Sequence, residues 1–203
     1  VTETNDVLSL GQDVMLGANP NGVAGMFATE AKQHGHSAVY LMHNGSSVSA
    51  DEGLLCLSDE RMAAAENYLI RANKCIHRKW PVADHEEVDE LKRDCYMVRW
   101  AHSVYAIGLF TSDASLLKIG GNLAWPCQMY VDRFLYDQEP MSLCELYMFD
   151  LKSESWFAWN ARWTRINDVP KPSGIYAVVG NDKLTRAAKQ AIDSLWVSPD
   201  DDA

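Results

Sequence analysis

Apolar residues recur along this chain either in short unbroken runs or in stripes spaced three and four apart, and the alternation of the two predicts strands and helices in turn. The first run, Asp13 to Leu16, reads as a strand that enters the turn-rich segment Gly17-Ala18-Asn19-Pro20-Asn21-Gly22. From Val23 to Lys32 the spacing of Ala24, Phe27 and Ala31 predicts a helix that stops near Gly35. Ala38 to Met42 is a compact strand, and His43 to Ser47 is the loop at its carboxyl end. A second helix is expected from Ser58 or Asp59 through Met62, Ala65, Leu69, Ala72 and Lys74.

Asp84 and Glu87 have the spacing of a capping box, in which each side chain answers an unpaired backbone N–H at a helix start. Behind them, Val88, Leu91, Cys95 and Val98 mark an amphipathic helix to about Trp100. Ser103 to Phe110 is apolar on both faces, as a strand covered by helices on both sides must be. A helix from Leu123 to Tyr136 accommodates Pro126 in its first turn, buries Cys127, Val131 and Phe134, and is expected to turn Asp132 and Arg133 to water. Glu145 to Asp150 and Trp156 to Asn160 are strands, either a hairpin extension or a strand and a segment crossing the sheet end. Gly174 to Gly180 is a further buried strand, and Leu184 to Leu195 a closing helix with Ala188, Ile192 and Leu195 inside.

This order predicts a three-layer α/β/α domain with a mostly parallel central sheet, built as one core over residues 1–203 with flexible ends. The 28 acidic against 18 basic residues leave a formal charge of -10, which disfavours nucleic acid as a partner. The cysteines, Cys56, Cys75, Cys95, Cys127 and Cys144, form no CxxC pair and read as reduced, buried residues of a cytoplasmic protein. No apolar stretch reaches membrane-spanning length, so no membrane partner is expected. Neither HExxH nor any His/Cys/Asp set has metal-ligand spacing, and no metal or cofactor is expected. Seven tryptophans, with Trp156, Trp159 and Trp163 close together, suggest a packed edge or a homodimer interface, with a base-stacking wall as the functional alternative.

Two junctions carry the candidate chemistry. At each, a strand gives way to small residues and then a helix, a geometry that aims backbone N–H groups and the positive helix end at an anion. The expected binding residues are Gly17, Ala18, Asn19 and Gly22 at the first, and Gly120, Gly121 and Asn122 at the second, with Lys118, Asp113 and His43 as neighbours. The same glycines serve equally in tight turns of a protein without a ligand.

These two stretches, Met15 to Phe27 and Ile107 to Trp125, resemble the Rossmann-like nucleotide-binding superfamily that includes bacterial DNA-processing protein A and the lysine-decarboxylase-like proteins, among them cytokinin-activating nucleotide phosphoribohydrolases. The resemblance implies a binder of a nucleotide or a nucleotide-like phosphorylated sugar, with Gly120 and Gly121 against phosphate or ribose. Its phosphoribohydrolase branch would imply N-glycosidic hydrolysis. The chain departs from that pattern: Ile119 precedes the glycines, Asn122-Leu123-Ala124-Trp125 replaces the glycine-threonine portion, and Gln128 stands near the expected carboxylate. A glutamine cannot exchange a proton near neutrality, so hydrolysis would need Glu30, Asp113 or Asp150 instead. Recognition is therefore favoured over turnover, with an interaction scaffold as the remaining alternative.

Overall fold

The computed structural model describes residues 13–43, 53–80, 84–112 and 115–197. Its centre is an eight-stranded sheet: β1 (Val14–Gly17), β2 (Ser37–His43), β3 (Gly53–Leu57), β4 (Ser103–Gly108), β5 (Glu145–Asp150), β6 (Ser155–Trp159), β7 (Trp163–Ile166) and β8 (Ile175–Gly180). Their spatial order is β3-β2-β1-β8-β4-β5-β6-β7. All pairings from β3 to β5 are parallel, and β6 and β7 add an antiparallel margin.

Among the described residues, five α-helices cover the two faces: α1 (Gly22–Gln33), α2 (Asp59–Ile76), α3 (His85–Trp100), α4 (Ala124–Tyr136) and α5 (Arg186–Ser194). Helices α1 and α5 pack together on one face, and α2, α3 and α4 form the layer on the other. The result is the three-layer α/β/α arrangement expected from the sequence, Rossmann-like in its parallel core. The pleat divides each central strand between two cores. Val14, Leu16, Val104, Ala106, Ala177 and Val179 point to the three-helix side. Met15, Tyr105, Ile107, Tyr176 and Val178 point to the two-helix side. This explains why these strands read as continuous apolar runs.

The helices form where stripe and cap agree. Ser58 caps α2 by accepting from the Arg61 N–H, and Met62, Ala65, Leu69 and Ala72 are buried as the spacing predicted. Asp84 caps α3 by accepting from the Glu86 N–H. Glu87 does not return the bond to the cap; it accepts from Asn122 Nδ2 at 3.0 Å. The capping box is therefore half made, and its second carboxylate is committed across to the start of α4.

Helix α4 corrects the sequence reading further. Asp132 is 1% exposed rather than turned to water, and Arg133 donates to the Val98 and Ala101 carbonyls and to Glu139. Packing against both α2 and α3 leaves α4 little open surface. The tryptophans agree with the packed-edge reading: Trp156 and Trp159 of β6 are buried and Trp163 of β7 lies against the core, as do Trp80 and Trp100, while Trp125 and Trp196 are buried elsewhere. Strands β3 and β7, at the two sheet margins, were not expected from the sequence. Among the described residues, no helix is long and apolar enough to cross a membrane.

Candidate functional site

Strand β8 lies between β1 and β4, so the loops leaving the carboxyl ends of all three meet at one place. A cavity of about 160 Å³ opens there, beneath the start of α1 and beside α3. Crevices at the carboxyl ends of parallel strands are the usual ligand positions in such sheets, because the loops there are free to vary while the strands stay fixed. By the space one water requires, this cavity has room for roughly ten waters.

Its walls can be read strand by strand. After β1, Ala18, Asn19 and Asn21 contribute, and Ala24 follows from the first turn of α1. After β8 come Gly180, Asn181 and Asp182, and ahead of α4 stand Asn122 and Leu123. Helix α3 supplies Glu87, Glu90, Leu91 and Asp94 as the fourth wall. The polar groups are thus amides and carboxylates, and the lining contains neither lysine nor arginine.

Several of these groups hold one another. Asn19 Oδ1 accepts from the Asn21 N–H at 2.7 Å, and its Nδ2 donates to Asp182 at 2.9 Å, tying the β1 loop to the β8 loop. Gly22 makes that closure possible: with φ at 55°, a Cβ would fall 2.3 Å from the Asn181 carbonyl oxygen. Arg93 reaches from α3 to the Ala18 carbonyl at 2.6 Å and the Leu41 carbonyl at 3.2 Å. That clamp fixes α3 over the ends of β1 and β2 and sets the next residue, Asp94, on the crevice floor.

Asp94 and Glu90 differ from the other two acids, since neither receives a hydrogen bond among the described residues. Asp94 is partly buried and lines the crevice. Burial, reinforced by the charge of Glu90 and opposed by Arg93, pushes its carboxyl up to about 7.

Of the expected binding residues, Ala18, Asn19 and Asn122 line the cavity. Gly17 lies behind it against the Tyr40 ring, and Gly22 packs on the β8 loop. Gly120 donates its N–H to the Leu109 carbonyl, and Gly121, with φ at 63°, has open space around its α-carbon. Lys118 is exposed, outside the lining. His43 pairs with Asp59 at 2.8 Å.

The nominated carboxylates are dispersed. Asp150 sits under the β5–β6 turn; burial acts to raise it, but bonds from Ser153 and the Phe110 N–H hold it below its usual range. Glu30 is two turns along α1 and does not line the cavity, and Asp113 lies outside the described residues. Gln128 is fully buried within α4, donating to Asp132 at 2.8 Å, and takes no part in the crevice.

The acids on α3 escaped the sequence reading, although a signal existed. Glu87, Glu90 and Asp94 are spaced three and four apart and share one helix face, an arrangement that like charges disfavour unless something else requires it. Among the described residues, no three His, Cys, Asp or Glu side chains converge as metal ligands would. Comparison with models of known protein families, with curated proteins and with solved structures found no significant match for this chain.

Proposed function

We propose that the protein binds a nucleotide-class small molecule and holds it by its sugar in the crevice between β1, β8 and β4. The observation carrying this reading is the lining itself: Asn19, Asn21, Asn122 and Asn181 beside Glu87, Glu90, Asp94 and Asp182, with Leu91, Leu123 and Pro126 as an apolar wall. Amide and carboxylate oxygens accept from sugar hydroxyls, amide N–H groups donate to ring and hydroxyl oxygens, and an apolar wall supports a flat base or sugar face. A phosphate is poorly served inside such walls; its place is the outer rim at the first turn of α1, where the helix end favours an anion.

Thermal-shift and calorimetric titration with nucleosides, nucleoside monophosphates and pentoses tests the reading. Binding by a nucleoside, lost in Asn122→Leu and Asn181→Leu variants that retain native circular dichroism, is the expected outcome. Absence of binding across the panel overturns it in favour of a scaffold.

N-glycosidic hydrolysis is favoured by one observation, the Asp94 carboxyl held to about 7 on the crevice floor. A group of that strength carries a proton near neutrality and can pass it to a departing base. Base release followed by mass spectrometry, present in the parent protein and lost in Asp94→Asn, decides between turnover and recognition.

A further inference from the structure

We infer that the crevice selects a positively charged ligand, a nucleoside-like molecule bearing a cationic base or an ammonium group, with the charge placed between Glu90 and Asp94 on α3 and facing Asp182. The inference rests on the sugar-binding reading above and specifies the charge of what is bound.

Three observations on the cavity carry it. Its lining has four carboxylates and no cation. Two of those carboxylates already have amide partners, Glu87 with Asn122 and Asp182 with Asn19, whereas Glu90 and Asp94 receive no hydrogen bond among the described residues. Asp94 is partly buried, opens onto the cavity, and has the apolar side chains of Leu91 and Leu123 in the same walls. An acceptor in that position faces the cavity with no donor beside it, and a bound cation supplies one.

The charged neighbours of Asp94 support the same sign. On its own helix Glu90 opposes its ionisation and Arg93 favours it, while Arg93 also donates to the Ala18 and Leu41 carbonyls. From the β8 loop the facing group is Asp182, from the β1 loop the neutral Asn19 and Asn21, and from the start of α4 the neutral Asn122 and Leu123. Behind it lie the thiols of Cys95 and Cys127, both held protonated by burial. A cation entering this field displaces the proton of Asp94, so binding and proton release are coupled. Affinity then rises with pH up to about 7, the value to which Asp94 is pushed, and levels off above it.

Calorimetric titration of the full chain between pH 5.5 and 8, in buffers of different ionisation heat, tests this with four probes. Adenosine is neutral, 1-methyladenosine carries its charge on the base, 5′-amino-5′-deoxyadenosine carries it on the sugar, and adenosine monophosphate is anionic. One of the two cationic probes binds at least tenfold more tightly than adenosine, adenosine monophosphate binds more weakly, and binding of the favoured cation releases protons below pH 7. Asp94→Asn removes the proton release and most of the preference, and Glu90→Gln, an independent change on the same helix, reduces the preference. Equal affinity for adenosine and both cations, or tightest binding of the monophosphate, overturns the charge selection while leaving nucleoside recognition standing. Spermidine, added as a cation without a sugar, separates the two ideas: if it binds with proton release and no nucleoside does, charge selection holds and the nucleoside reading falls. If no probe binds, both fall.

Discussion

Asp94 and Asp132 belong to adjacent helices of one layer, and burial raises the carboxyl of each above the usual range. Their surroundings differ. Asp132 has Gln128 donating at 2.8 Å and the Arg71 guanidinium at 3.7 Å. Arg71 in turn makes two bonds to Asp137, which also receives Arg99 at 2.9 Å. Asp94 faces a second acid and an opening. The first region sets its carboxylate beside a cation within the fold, although Asp132 Oδ2 itself accepts no hydrogen bond, whereas the second sets a carboxylate beside another acid at an open cavity. Burial and a raised carboxyl are common to both, so neither feature alone marks a binding site; what distinguishes the crevice is its opening and the second acid beside Asp94.

The largest effect is expected where the carboxylates already share a cation. Arg71→Ala leaves Asp132 buried with one neutral donor and strips Asp137 of its two-pronged bond, and should cost about 3 kcal/mol in urea denaturation at pH 7. A loss below about 1 kcal/mol would show the network to be as inconsequential as an exposed ion pair.

Gly22→Ala is next, at about 2 kcal/mol, because the left-handed backbone and the collision with the Asn181 carbonyl act together. Gly121→Ala, with a similar φ of 63° but open space around it, should cost about 1 kcal/mol, backbone strain alone. Equal losses in the two would mean that closure of the crevice loops contributes nothing.

Asp94→Asn should move the other way, stabilising the protein by about 1–2 kcal/mol at pH 8 and changing little at pH 4. Asp94 is raised in the folded state, so its favourable contribution is fully present below the unfolded value of 3.8 and is lost as pH rises through about 7. Asp137 has the opposite sign. The bond from Arg71, opposed by burial and joined by the bond from Arg99, holds it low, and its contribution is lost as pH falls below about 4. Denaturation midpoints from pH 3 to 9 should therefore lose their decline between about pH 4 and 7 in Asp94→Asn and keep the decline at more acid pH.

The smallest effect belongs to the link between the two helices of the crevice wall. Glu87→Gln keeps an acceptor for Asn122 and should change stability by no more than about 0.5 kcal/mol, while Glu87→Ala should cost about 1 kcal/mol by freeing the start of α4.

Much of this architecture was legible because stripe, cap and apolar run agreed locally. Met62, Ala65, Leu69 and Ala72 described a helix face, and Val104 to Ile107 a strand buried on both sides, without reference to anything distant. Strand β3 was not legible, since Gly53 to Leu57 is short, uniformly apolar and mostly exposed, and becomes a strand by pairing with β2. Asp132 was misread because its type suggests water, whereas its environment is decided by α2 and α3 packing on α4. The crevice was half legible. Strand ends nominated Ala18, Asn19 and Asn122, but Glu90 and Asp94 enter from a helix whose placement depends on Arg93 reaching the ends of β1 and β2. Long-range clamps of that kind leave no periodic trace.

The central place of β8 also bears on the order in which the chain can assemble. It pairs with β1 on one side and β4 on the other, so a ribosome has released both halves of the sheet before residues 175–180 exist to join them. Until then β1 and β4 present bare inner edges, the kind of surface on which unfinished chains pair wrongly. Joining them closes long loops and should make this the slow step of refolding. Because Asn181 and Asp182 directly follow that strand, the crevice is completed in the same step.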